Sequence, residues 1–203
     1  MKKMTAAMAA LGVVAGLGAA ALPLSSYATQ STVPVTAIID DALSITLTDA
    51  NTADALGADG VLIENVVPGG AVKARTVAVT VSGNTGDKYK LSLEDRLTDT
   101  ALISAEGGRI AATSVATLGG SSAASAWGFV AGATNPTATP TTGWKAVPAR
   151  GTTPAQLLTG TGNVGTLATG KATTYVTFGV YADENQDAGT YTTDVIFTAS
   201  AQN

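Results

Sequence analysis

Val72-Lys-Ala-Arg-Thr-Val-Ala-Val-Thr-Val-Ser82, then Gly83-Asn-Thr-Gly-Asp87, then Lys88-Tyr-Lys-Leu-Ser-Leu93, is the stretch that decides the fold. In an extended strand successive side chains point to opposite faces. Residues 72–82 therefore put Val72, Ala74, Thr76, Ala78 and Thr80 on one face and Lys73, Arg75, Val77, Val79 and Val81 on the other. The second face becomes apolar from Val77 onward. Gly83 to Asp87 is made of turn formers and reads as a hairpin loop. The chain then returns with Tyr89, Leu91 and Leu93 inward.

The same period of two extends in both directions. Residues 43–48 alternate strictly, with Leu43, Ile45 and Leu47 inward. Residues 61–67 read as a short strand stopped by Pro68-Gly69-Gly70. Two further short strands, 101–104 and 109–113, flank Glu106-Gly107-Gly108. Residues 172–182 form a strong strand, Asp183 to Gly189 turns, and 190–200 closes the domain. No long segment carries the helical period of 3.6. Residues 114–170 differ, because Gly, Ser, Thr, Ala and Pro dominate around Ala126-Trp127-Gly128-Phe129 and Gly143-Trp144-Lys145. A bare linker has no use for tryptophan. These two stretches therefore read as short strands between long loops, with both rings capping one end of the core. The pattern predicts an all-β, antiparallel β-sandwich of about ten strands in two sheets.

The N-terminus has a different character. Lys2 and Lys3 precede an uncharged apolar run from Met4 to Leu24, and Ser26-Tyr27-Ala28 offers small residues where a signal peptidase inspects them. Residues 1–28 are expected to be a helical signal peptide cleaved after Ala28. Residues 29–41 would form an N-terminal strand, and 42–203 the β-sandwich domain. Export to the extracellular space or cell surface follows, with nothing left to hold the mature chain in a bilayer.

The chain carries eleven Lys plus Arg against fifteen Asp plus Glu, a net charge of −4 that becomes −6 once Lys2 and Lys3 are removed. A mildly acidic chain without a basic cluster points away from nucleic acid and anionic lipid. Cysteine and histidine are both absent. That removes disulfides, His and Cys nucleophiles, imidazole and thiolate metal sites, and any Ser-His-Asp triad. Only carboxylate chemistry or a Ser-Lys pair remains. Asp40-Asp41 and Glu94-Asp95 are adjacent pairs, and neighbours on a strand point to opposite faces, so neither makes a natural dyad. The expectation is a non-enzyme with no cofactor.

The last strands carry a more specific likeness. Thr177-Phe178-Gly179-Val180, then a polar turn, then Ala188-Gly189-Thr190-Tyr191-Thr192 resembles the ending of many small exported bacterial surface proteins with an Ig-like β-sandwich. Val35-Thr36-Ala37-Ile38-Ile39-Asp40, Tyr89-Lys90-Leu91-Ser92 and Trp127-Gly128-Phe129 occur in the order seen in uncharacterised exported proteins of candidate-phylum, Saccharibacteria-type bacteria. The chain is also similar, more distantly, to class 5 fimbrial (pilus) subunits, which start on a Val-Thr-Ala-x-x-Asp strand and end on a Gly-x-Tyr strand. In that family the first strand is donated to the neighbouring subunit. The resemblance thus implies an Ig-like fold and, by position, a donor strand at Thr32 to Ile39.

The residues themselves fit that role. Val33, Val35, Ala37 and Ile39 lie on one face of an alternating segment, and Pro34 confines it to an edge or to one-sided pairing. Such a strand can fill a vacancy in another copy by β-augmentation, or pair within its own sheet. The leading expectation is a structural subunit of a fibre or surface layer whose partner is itself, a homopolymer. The alternative is a monomeric adhesin or carbohydrate-binding module that meets a host or neighbouring-cell surface through the 114–170 loops, with Trp127 and Trp144 as its platform. No metal is expected. Asp183, Asn185 and Asp187, with Asp194 further on, partly match a calcium loop, but Ala188 stands where that loop needs Gly, and the flanks are strands.

Overall fold

The computed structural model describes residues 43–56, 60–84, 86–120, 123–159 and 161–202. The signal segment and the N-terminal strand expected at 29–41 lie outside them. Eleven strands follow in order. They are β1 (Ser44–Asp49), β2 (Lys73–Ser82), β3 (Lys88–Asp95), β4 (Leu102–Ser104), β5 (Arg109–Ala112), β6 (Ala126–Gly132), β7 (Ala155–Gln156), β8 (Gly165–Thr166), β9 (Lys171–Tyr181), β10 (Tyr191–Thr192) and β11 (Val195–Gln202). The protein is all-β, in two sheets. One has seven strands in the order β1-β2-β9-β6-β5-β4-β10. The other runs β11-β3-β7, with β8 pairing the same strand β3. Among the described residues no helix is long and apolar enough to cross a membrane.

The alternation read from the sequence sets the core. Val77, Val79 and Val81 of β2, Tyr89, Leu91 and Leu93 of β3, and Val176, Phe178 and Val180 of β9 share one buried cluster with Trp127 and Phe129 of β6. Leu43, Ile45 and Leu47 pack against it from the edge. On the opposite face of the seven-stranded sheet, Thr76 and Thr177 join hydroxyls across β2 and β9 at 2.8 Å.

Four expectations are corrected. The 83–87 loop is not a hairpin, because β2 and β3 belong to different sheets. Both strands point their apolar rows at the same core, so the loop arches between layers about 10 Å apart. The sheets are not wholly antiparallel, since β5 and β6 pair in parallel, Ala111 to Ala126 and Ala112 to Trp127. The connection from Ala112 to Ala126 is long enough for the crossover that parallel pairing needs. Residues 61–67 form no strand. Asn65 adopts a positive φ of 57°, which breaks the period of two, yet Val61, Ile63 and Val66 still pack against the core. Finally, 190–200 is two strands in two sheets, with the break at Thr193-Asp194. There Asp194 meets Arg96 at 3.1 Å, and the Thr193 hydroxyl donates to the buried Asp95 carboxylate at 3.0 Å.

The tryptophans are also rearranged. They do not cap one end of the core together. Trp127 stacks on Phe178 inside it, while Trp144 lies over Gly179 with Leu118 and Tyr181. Phe178 and Gly179 are neighbours on β9, so the two rings occupy opposite faces of the sheet.

Candidate functional site: two sheet edges

Each sheet ends on a strand that is incompletely covered. In β1, Ile45 and Leu47 point toward the core but remain half-buried. In β11 the same holds for Val195, Phe197 and Ala199. Their neighbours one strand inward, such as Val79 and Leu93, are 0 % exposed. The gradient therefore falls at the edges and not across the core as a whole.

The backbone edges match this. β11 pairs with β3 along its whole length, from Val195 with Asp95 to Gln202 with Lys88. Its other side has no strand partner among the described residues. β1 pairs with β2 from Ser44 to Asp49. Among the described residues only the top of its outer side is covered, by a bridge from Thr48 to Ala55 and a bond from the Asp49 N–H to the Asp54 carbonyl. An edge strand presents a row of free donors and acceptors, and soluble proteins usually guard it with charge, proline or a bulge. Ser44 to Thr48 and Val195 to Gln202 contain neither charge nor proline.

Asp49 closes β1. Its carboxylate accepts the N–H groups of Asn51 at 2.8 Å and Thr52 at 3.2 Å and pairs with Arg75 at 2.7 Å. The Asn51 N–H first, then the Arg75 guanidinium, hold its carboxyl below the usual carboxylate range. Arg75 also donates to the Leu62 carbonyl, tying the irregular 60–67 segment to the same end.

Val33, Val35, Ala37 and Ile39 lie outside the described residues, as do Asp40 and Asp41. Trp127 and Trp144 are each 3 % exposed, so neither ring offers a face to a sugar. The reading of both as a ligand platform is corrected on that ground: burial under strands and loops uses their apolar faces. Their indole N–H groups donate to the Thr100 and Pro140 carbonyls. Asp183 uses one carboxylate oxygen inside its turn, accepting from the Asn185 N–H at 2.8 Å, and the other across to Ser125, accepting from its N–H and hydroxyl at 3.0 Å each. These bonds, with Asn185 first, hold its carboxyl below the ordinary range. Beside it lies a cavity of about 690 Å³ whose walls include Gly69, Gly120, Tyr181 and Glu184. Among the described residues no three His, Cys, Asp or Glu side chains gather as a metal site.

The half-covered edge row of Val195, Phe197 and Ala199 is a candidate surface that the alternation of the sequence alone does not single out. The available signal was the uncharged, proline-free run from Val195 to Gln202, read only as a closing strand. No family model matches the chain, and no curated protein matches it.

Proposed function

We propose that the chain is an exported structural subunit with an Ig-like β-sandwich, joined through sheet edges into a surface fibre or layer. The segment from Thr32 to Ile39 is the strand that joins copies. One observation carries this reading: the outer edge of β11 is uncharged, free of proline and only half-covered on its apolar side. An edge in that state is either a hazard or a docking line.

The donor fits it. Thr32 to Ile39 matches β11 in length, at eight residues, and alternates with the same period. Laid beside β11, it would bring Val33, Val35, Ala37 and Ile39 over the half-covered row while its backbone satisfies the free edge. Donation from one copy to the next is head-to-tail and does not close, so it produces a filament.

The test compares the mature chain, Thr29 to Asn203, with a variant beginning at Ala42. Size-exclusion chromatography and negative-stain microscopy should show filaments or ladders for the first and monomers for the second. Adding a Thr32–Ile39 peptide to the variant should give a one-to-one complex. Monomers from both chains, with no structures on cells, would overturn the proposal and favour a monomeric adhesin.

A further inference from the structure

We infer that the segment Asn135-Pro-Thr-Ala-Thr-Pro-Thr-Thr-Gly143 is a modification site, with the hydroxyls of Thr137, Thr139, Thr141 and Thr142 as acceptors for O-linked sugar. The inference rests on the export reading above, because the activated sugar would be transferred on the way to the surface.

Composition gives the first indication. Threonine packed among prolines is the pattern of O-glycosylated stalks, where proline keeps the backbone extended and each hydroxyl accessible. The structure adds the second. All four threonines are exposed. None of their hydroxyls has a hydrogen-bond partner among the described residues, whereas Thr76, Thr113, Thr152 and Thr193 all use theirs. The backbone from Thr137 to Thr142 belongs to no strand. A transferase can therefore seat it in an extended groove without breaking a ladder. The segment is nonetheless held in place. Asn135 donates its side-chain amide to the Ala50 carbonyl at 3.0 Å, and Trp144 donates its indole N–H to the Pro140 carbonyl at 3.1 Å. Thr152, beside Thr153-Pro154, makes a useful contrast, because its hydroxyl is already bonded to the Ala149 carbonyl at 2.6 Å.

The chemistry balances without a redox partner. The threonine Oγ1 attacks the anomeric carbon of an activated sugar, carried on a nucleotide or lipid phosphate. The carbon–oxygen bond to phosphate breaks as the glycosidic bond forms. The hydroxyl proton passes to a base of the transferase, and the phosphate departs with the bonding pair.

The experiment is intact-mass analysis of the protein taken from the cells that make it, with peptide mapping. Trypsin frees residues 110–145 as one peptide, between Arg109 and Lys145. The expected result is a mass above that of the mature polypeptide in steps of one sugar residue, lost on β-elimination and located by fragmentation to Thr137–Thr142. The variant T137A/T139A/T141A/T142A should lose the added mass and keep its unfolding midpoint. A surface protein starting at Thr29 with the bare polypeptide mass, or a modification placed elsewhere, overturns this inference and leaves export standing. A chain retained inside the cell with Met1 intact overturns both.

Discussion

Gly179→Ala tests how the two faces of the seven-stranded sheet are built. Gly179 sits at the middle of β9, under the Trp144 ring. A methyl group added there would stand 2.5 and 2.8 Å from two atoms of that ring, with a third atom nearer still. Ordinary carbon contacts are about 3.5–4.0 Å, so the indole must retreat by about 1 Å. It has little room, since its N–H is bonded to the Pro140 carbonyl, the Trp144 backbone N–H is bonded to the Ala116 carbonyl, and Lys145 pairs with Phe129 on β6. Overpacking of this kind costs about 1–3 kcal/mol, and restricting the unfolded chain returns about 0.4–1 kcal/mol. The net loss should be about 1.3 kcal/mol, or roughly 3–5 °C in unfolding midpoint for a domain of this size. Thermal unfolding followed by tryptophan fluorescence reads both the stability and the displaced ring. Gly132→Ala is the control, because its nearest neighbour is the Thr134 carbonyl at 3.9 Å. It should be neutral or slightly stabilising. In a Trp144→Ala background Gly179→Ala should add almost nothing, as residues in contact are not additive. A Gly179→Ala protein as stable as the parent would refute the packing of Trp144 against β9.

Asp49→Asn should cost about 1–3 kcal/mol at neutral pH, because Arg75 and two N–H groups lose a charged acceptor. The folded carboxyl titrates below its ordinary 3.8, so its contribution is complete above that value and disappears as pH falls through the lower folded value. Urea midpoints measured against pH should therefore converge for the two proteins below about pH 4. Trp127→Phe keeps an aromatic ring against Phe178 but strands the Thr100 carbonyl, and should cost about 2 kcal/mol in chemical denaturation. Ala199→Lys places a charge on the inward row of the β11 edge and should abolish filaments while leaving the monomer folded, as chromatography and circular dichroism would show. Filaments that persist in Ala199→Lys would exclude the β11 edge as the joining line.

Period and turn chemistry made most of the strands legible. Val77, Val79, Val81, Leu91 and Leu93 could be assigned to the core from alternation alone, because each strand has one buried face and a slip by one residue would expose all of it. Alternation does not say which strand lies alongside which. A hairpin and an arch leave the same trace when both strands turn their apolar rows to one core, and so the 83–87 loop was misassigned. The tryptophans failed for a related reason. Bulk and polarity place an indole in a buried setting, but only the register of β6 and β9 decides that Trp127 enters the core while Trp144 covers Gly179 from behind and the Lys145 backbone lies over its cross-strand partner Gly128. Asn65 is harder still, since one residue with positive φ changed a strand into an irregular strap without altering its apolar content.

The same limit explains why the edge was invisible. Val195 to Gln202 reads as an ordinary amphipathic strand, and its half-covered state comes from a neighbour that the described sheet does not supply. What the sequence does contain is the lack of any guard. An edge with Val195, Phe197 and Ala199 turned inward and no Lys, Pro or acidic residue along it would invite random association if it stayed open. A subunit exported as proposed can tolerate such an edge only if something fills it. The segment suited in length, period and position to do so is Thr32 to Ile39. Whether that segment comes from the same molecule or the next decides between monomer and filament. Mixing differently labelled subunits separates the two cases: a donated strand crosslinks unlike labels through an engineered Cys pair between residue 35 and β11, whereas a self-paired strand crosslinks only within one chain.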